Sequence, residues 1–314
     1  MILKKMIERY IAYRQSLGEK FKTNAVALNA FLKFTGEDSD PLKLSEKQTS
    51  AFLIYPTGTV TQSWFIRYAA LKGFFQWALA RGILTEAPLT TEIPNRLEHI
   101  RPYIYTSDEL RRLFSSAMKY QKNHSIIYPE CVTMILQLTY FFGLRLHETV
   151  SLKIKDINMR ESYLYICESK FYKSRLTPFG PQVSRLIADF CVWRKKNGMS
   201  DTPDTALFLN KKQNPIAIDT VRQSFKRIRS HAEISRNDGS IFQPRIHDLR
   251  HTFAVNRLTS WYREKKDVQK LLPQLSAYMG HTHLCHTSVY LTMTDTLLGE
   301  ACTRFEQYAK VPKP

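Results

Sequence analysis

Apolar residues recur at three- and four-residue steps along much of the chain, and two stretches that abandon that period stand out. Residues 85–104, TEAPLTTEIPNRLEHIRPYI, hold three prolines and no helical repeat. Residues 153–180, KIKDINMRESYLYICESKFYKSRLTPFG, switch to alternation over Ser162 to Ser169, pass a polar turn, and resume in a short run ending at Pro178. A chain patterned this way is mainly α with a small antiparallel β-sheet in its C-terminal domain. At 314 residues it exceeds the roughly 250 at which single cores stop growing. The proline-bearing stretch is therefore read as a boundary: a helical domain over 1–88, a linker over 89–104, and a second domain over 105–314.

In the first domain, Ile2, Met6, Tyr10 and Tyr13 mark a helix over 2–16, and helical spacing returns at about 23–34 and, after GEDSDP, at 46–54. Its strongest helix is TQSWFIRYAALKGFFQWALARGI, with Trp64, Tyr68, Leu71, Phe75 and Leu79 on one face and Gly82 where a C-cap belongs. A four- or five-helix bundle is expected. In the second domain TSDEL opens a helix, with Thr106 or Ser107 as N-cap and acidic residues in the first turn. Further helices are expected at about 181–197, 218–233, 247–261, 267–279, 284–292 and 296–309. The last carries Leu298, Ala301, Phe305 and Tyr308 on one face.

Charge narrows the partners. Lys and Arg number 46 against 28 acidic residues, a net of +18 and a pI near 9.7. The excess is +4 over residues 1–100 and +14 over 101–314. A polyanion is the expected partner, because neutralising phosphates releases condensed counterions, and its capture should lean on the C-terminal part. The five cysteines form no CxxC pair, which suits a reducing, cytoplasmic setting better than a disulfide framework. No stretch approaches about 18 uninterrupted apolar residues, so no membrane span is expected.

Four short segments gather cationic and nucleophilic side chains. In GLRLHE, Arg145 and Glu148 lie one helical turn apart and are placed to pair, as many surface pairs do. In ESKFYKSR, Lys170, Lys173 and Arg175 sit on the turn between the two strand runs, where lysines serve either solubility or reach. In PRIHDLRHTFAV, His247 and Arg250 share one face at a helix start, followed by His251 and Thr252. In LSAYMGHTHLCHTSVYL, His281, His283, Cys285 and His286 precede Tyr290, which lies nine residues past His281. A metal site there would lack a second ligand pair at conventional spacing, so none is expected.

Taken in order, these segments resemble the tyrosine recombinase (phage integrase) family. That family's pattern is GLRxxE, a hairpin KxxKxRxxP, HxxRH, and GH followed nine residues on by Tyr. Here it reads GLRLHE, KFYKSRLTP, HDLRHTFA and GHTHLCHTSVY. The helix beginning TVTQSWF is similar to the last helix of the family's core-binding domain. Two departures stand out: His147 occupies a position usually held by a small residue, and the stretch WYREKKDVQKLLPQLSAYMGH is long.

The resemblance implies a two-domain DNA clamp without an arm-binding domain, and site-specific strand breakage and rejoining through a 3′-phosphotyrosine. Tyr290 would be the nucleophile. Arg145 and Arg250 would hold the phosphate, because guanidinium stays charged and donates in pairs. His247 would exchange the tyrosine proton, and His281 would add a hydrogen bond to the phosphate. Lys170 would protonate the departing 5′-oxygen, with Lys173 as the alternative, and Glu148 would buttress Arg145. No cofactor or metal is implied, and no GxxxxGK[ST] phosphate loop is present. The partner would be double-stranded DNA with paired recombination sites, bound by a homotetramer whose 296–309 helix docks on a neighbour. A type IB topoisomerase shares this chemistry but needs no paired site, and a DNA-binding regulator of the same fold would form no covalent adduct.

Overall fold

The computed structural model describes residues 2–95, 102–120, 125–167, 174–240, 242–281, 283–292 and 297–302. The chain divides into two compact units, Met1–His99 and Ile100–Pro314. Among the described residues no helix is long and apolar enough to cross a membrane.

The first unit holds α1 (Leu3–Ser16), α2 (Lys22–Thr35), α3 (Glu46–Ile54) and α4 (Gln62–Leu79). The buried face of α1 is Leu3, Met6, Ile7 and Tyr10. The expected stripe was rotated: Ile2 precedes the helix as its N-cap and, like Tyr13, is 37% exposed. Ser45 and Gln48 close a reciprocal capping box that starts α3. All three other helices pack on α4. That explains why its apolar face is wider than the expected stripe: Ala70, Phe74, Trp77 and Ala78 are sealed along with Trp64, Leu71 and Phe75. The helix ends as expected at Gly82 (φ 63°), where the Gly82 and Ile83 N–H groups donate to Leu79 and Ala78 carbonyls at 2.9 and 3.0 Å.

In the second unit Thr106 caps α5 (Ser107–Lys119), and Glu109 answers with its carboxylate on the Thr106 N–H at 2.8 Å. The apolar α6 (Pro129–Phe141) is buried on nearly every side, with α5 and the helices Leu146–Val150, Pro181–Lys196 and Ile246–Arg263 packed around it. After α7 (Leu146–Val150) come β1 (Ile157–Asn158), β2 (Tyr163–Ile166) and β3 (Arg175–Pro178), an antiparallel sheet in the order β1-β2-β3. β1 was not foreseen, since two residues are too few to show alternation. Along β2, Leu164 and Ile166 face the core while Tyr165 faces out.

Then follow α8 (Pro181–Lys196), α9 (Ile218–His231), α10 (Ile246–Arg263), α11 (Val268–Met279), α12 (Cys285–Ser288) and a 3-10 turn, Val289–Thr292. The stretch expected as one helix near 284–292 is thus two short pieces. The long segment before the GH pair is accounted for by α10 running to Arg263 and by α11. Residues 297–302 are helical, with Leu297 buried; most of the expected 296–309 docking helix lies outside the described residues.

Candidate active site

The chain reverses after α6 and enters α7 with Arg145 as its N-cap. The Arg145 N–H donates to Glu148 Oε2 at 3.0 Å, and Arg145 Nη1 donates to Oε1 at 2.9 Å. This is no ordinary surface pair, because the Glu148 carboxylate is buried and shared. Arg175, at the start of β3, donates to the same two oxygens through Nη1 at 3.2 Å and Nη2 at 2.9 Å. The expectation that Arg175 projects from the hairpin tip is therefore corrected: its side chain turns inward. Lys170 and Lys173 lie outside the described residues.

Arg145 and Arg175, joined by Arg250, also reach the end of α11. Arg175 Nε donates to the Tyr278 carbonyl at 2.8 Å, Arg250 Nη2 to Met279 at 2.8 Å, and Arg145 Nη2 to Gly280 at 3.1 Å. The last carbonyls of a helix lack intrahelical partners and carry the negative end of its dipole, so cations are favoured there. Gly280 is required by this packing. Its φ is 69°, and a Cβ would stand 2.7 Å from Arg175 Nη1. Arg250, on the first turns of α10, is 1% exposed and also donates to the Gly143 carbonyl at 2.5 Å.

Burial opposes the Glu148 carboxylate, but the hydrogen bonds and charge of Arg175, with those of Arg145, hold its pKa down to about 2. Burial, then the like charge of Arg145, lowers the Arg250 guanidinium to about 10. Both groups are charged at neutral pH. Two of the three arginines share one carboxylate and the third, Arg250, is held by carbonyls, leaving a local excess of positive charge.

Beside this cluster lies the tyrosine. Tyr290, in the 3-10 turn after α12, is 3% exposed, with its hydroxyl 3.1 Å from His251 Nδ1. The His247 ring, one helical turn earlier on α10, meets the His251 ring edge-on at 4.7 Å. His281 Nδ1 pairs with Thr287 Oγ1 at 2.7 Å, and its ring lies 6.2 Å from that of Tyr290. Burial lowers all three imidazoles: His247 to about 4, with Arg250 contributing; His251 to about 3, with His247; His281 to about 3, with Arg250. Burial raises the Tyr290 phenol, and the charges of Arg250 and Arg145 oppose that rise. At neutral pH the site therefore sets neutral imidazoles and a neutral phenol beside the arginine cluster.

Arg145, Glu148, Arg250, His247, His281 and Tyr290 are brought together, although Arg145 and Tyr290 are far apart in sequence. Two members were missed. Spacing places Arg175 at the tip, and only the β2–β3 register, Ile166 opposite Arg175, turns it towards Glu148. His251 was in view as the last residue of HDLRH, but His247 was expected to serve the tyrosine; the contact belongs to His251. His147 is exposed on α7, so a larger side chain is accommodated there. Among the described residues no three His, Cys, Asp or Glu side chains group to hold a metal ion.

The phage integrase family matches residues 104–296, which span the whole of this cluster. The chain belongs to that family. Among its relatives is y4rB, a protein of Sinorhizobium fredii whose name places it among integrases or recombinases, 28% identical over 303 residues and covering 96% of each chain. The tyrosine recombinase XerC of Chlorobaculum tepidum is 26% identical over 76% of this chain and 71% of its own. The fold is that of solved recombinases. A lambda integrase dimer bound to a COC′ core site superposes with a TM-score of 0.68 at 18% identity, over 93% of this chain and 78% of that one. The Tn1549 transposon integrase in complex with transposon right end DNA gives 0.68 at 14% identity, over 98% and 100%.

Proposed function

We propose that this member of the phage integrase family is a site-specific DNA recombinase that cleaves DNA with Tyr290 and carries the broken strand as a 3′-phosphotyrosine. One observation carries the reading: a buried tyrosine hydroxyl stands beside arginines whose charge one carboxylate does not balance. A phosphodiester fits that excess. Arg145 and Arg250 are assigned to the non-bridging oxygens, where each charge-assisted donor is worth about 3–4 kcal/mol of barrier. His281, oriented by Thr287, is assigned a hydrogen bond to the phosphate. Glu148 positions Arg145 and Arg175. Lys170, or Lys173 in its place, protonates the departing 5′-oxygen, and His247 packs against the His251 ring at the start of α10.

The partner is double-stranded DNA carrying paired recombination sites. The bulk of the chain's positive charge lies beyond residue 100, in the unit that holds the site. The first unit, with the linker at 89–104, is assigned to DNA binding, the 296–309 helix to subunit docking in a homotetramer, and the cytoplasm to its place of action. The test is covalent capture. Nicked duplexes drawn from DNA flanking the protein's own gene should yield a denaturant-resistant protein–DNA adduct. An adduct that persists in Tyr290→Phe sinks the assignment of the nucleophile.

A further inference from the structure

We infer that His251, rather than His247, is the residue that receives the phenolic proton when Tyr290 attacks DNA. The inference rests on Tyr290 being the nucleophile, as proposed above.

Three observations carry it. The first is contact: His251 Nδ1 lies 3.1 Å from Tyr290 Oη, a hydrogen-bond distance, while the His247 ring is seated against the His251 ring. The second is protonation. A buried phenol whose pKa is raised faces a buried imidazole whose pKa is lowered, so both partners are neutral at pH 7. In the tautomer that carries its proton on Nε2, Nδ1 accepts from the phenol, and this is the form the proton transfer uses. The third is position. His251 is the next residue on α10 after Arg250, so the group that holds the tyrosine and the group assigned to the phosphate are fixed by one stretch of helix.

The step balances. The Tyr290 Oη–P bond forms as the P–O5′ bond breaks; the phenolic proton passes to His251 Nδ1, and the 5′-oxygen takes a proton from the acid on the hairpin. On rejoining, a 5′-hydroxyl attacks phosphorus and gives its proton back to that acid, the Tyr290 Oη–P bond breaks, and His251 returns its proton to the departing Tyr290 oxygen. Burial weakens His251 as a base, and so do the charges of Arg245 and Arg250, which make its proton affinity sensitive to substrate. A phosphodiester held by the arginines offsets them and strengthens the acceptor. Without DNA the tyrosine stays protonated.

The test compares single-turnover cleavage of one nicked duplex by wild type, His251→Phe, His251→Asn and His251→Gln. Phe keeps a ring without an acceptor, Asn sets an oxygen near the place of Nδ1, and Gln reaches towards that of Nε2. His251→Phe should cleave roughly 10²–10³-fold more slowly, with DNA affinity held within about threefold, and His251→Asn should recover about tenfold of that loss. A second substrate, with sulfur replacing the bridging 5′-oxygen, needs no acid for its leaving group. The defect of His251→Phe should persist on it; rescue would put His251 on the leaving-group side and overturn the inference, as would wild-type cleavage by His251→Phe. Should the Phe variant fail to bind DNA, Asn against Gln decides: Asn faster supports the assignment, while equal rates or Gln faster overturn it. A wild-type protein that forms no adduct at Tyr290 on any flanking site fails the proposed function itself, and this inference with it.

Discussion

In the first unit the core is apolar and rich in aromatics: Tyr10, Phe31, Phe74 and Phe75 are sealed, and among the described residues Thr49 is the one buried polar side chain. The second unit has a larger apolar core, but it also buries Glu148, Asp156, Arg194, Arg236, Asp248 and Arg250. Removing a charge from water costs several kcal/mol unless partners repay it, and a well-packed hydrophobic replacement often serves stability as well or better. A unit that needs only a shape has no use for such groups. In the second unit Glu148 is bound by Arg145 and Arg175, whereas Arg250 is held by carbonyls rather than by a carboxylate. That arrangement keeps its charge available to an anion.

The largest effect that would break this comparison is on chemistry in the second unit. Tyr290→Phe should abolish the covalent adduct on a denaturing gel while leaving DNA affinity within a few-fold of wild type. Arg250→Ala should bind DNA yet cleave about 10²–10³-fold more slowly in single turnovers; unchanged cleavage would remove its phosphate role. Phe75→Ala probes the other side of the contrast. It should destabilise the first unit by about 3–5 kcal/mol, read as faster amide hydrogen exchange throughout α4, because that core has only packing to lose.

Acid should separate the units further. His247 and His251 have folded-state pKa values of about 4 and about 3, below the usual 6.5, so the unfolded chain binds their protons first. Their contribution to stability is complete above pH 6.5 and is lost as pH falls towards those folded values. By about pH 5.5 each should cost about 1 kcal/mol. Glu148 acts lower: its stabilisation is present above the usual carboxylate pKa and vanishes as pH drops through about 2. Hydrogen exchange from pH 7 to 5 should therefore loosen α10 before α4, and equal loosening would contradict the contrast. The smallest effect is a cap. Thr106→Ala should cost about 1 kcal/mol, seen as a lower Tm of the second unit, since Glu109 loses its reciprocal partner.

Much of this was readable residue by residue. The helical period located α2, α3, α4 and α8 to within a residue or a few, and Gly82 and Thr106 announced their caps, because capping depends on local backbone geometry. Errors arose where a neighbour decides which face is covered. Ile2 and Tyr13 fit the α1 stripe yet remain half-exposed, and α4 is sealed far more widely because three helices enclose it. At the site, spacing singled out Arg145, His247, Arg250, His281 and Tyr290. It offered no means of choosing which imidazole meets the tyrosine, since His247 and His251 lie one turn apart on one helix.

The helical character and the position of the small sheet were legible in the sequence. Each of these follows from short-range periodicity, composition or motif spacing. Tertiary structure alone decided that Arg145, Arg175 and Arg250 end on the carbonyls closing α11, that Glu148 is shared between two of them, and that Tyr290 rests on His251. Those are contacts between residues as much as 135 positions apart. They are set by how α6, α7, α10 and the sheet pack, which no local pattern encodes.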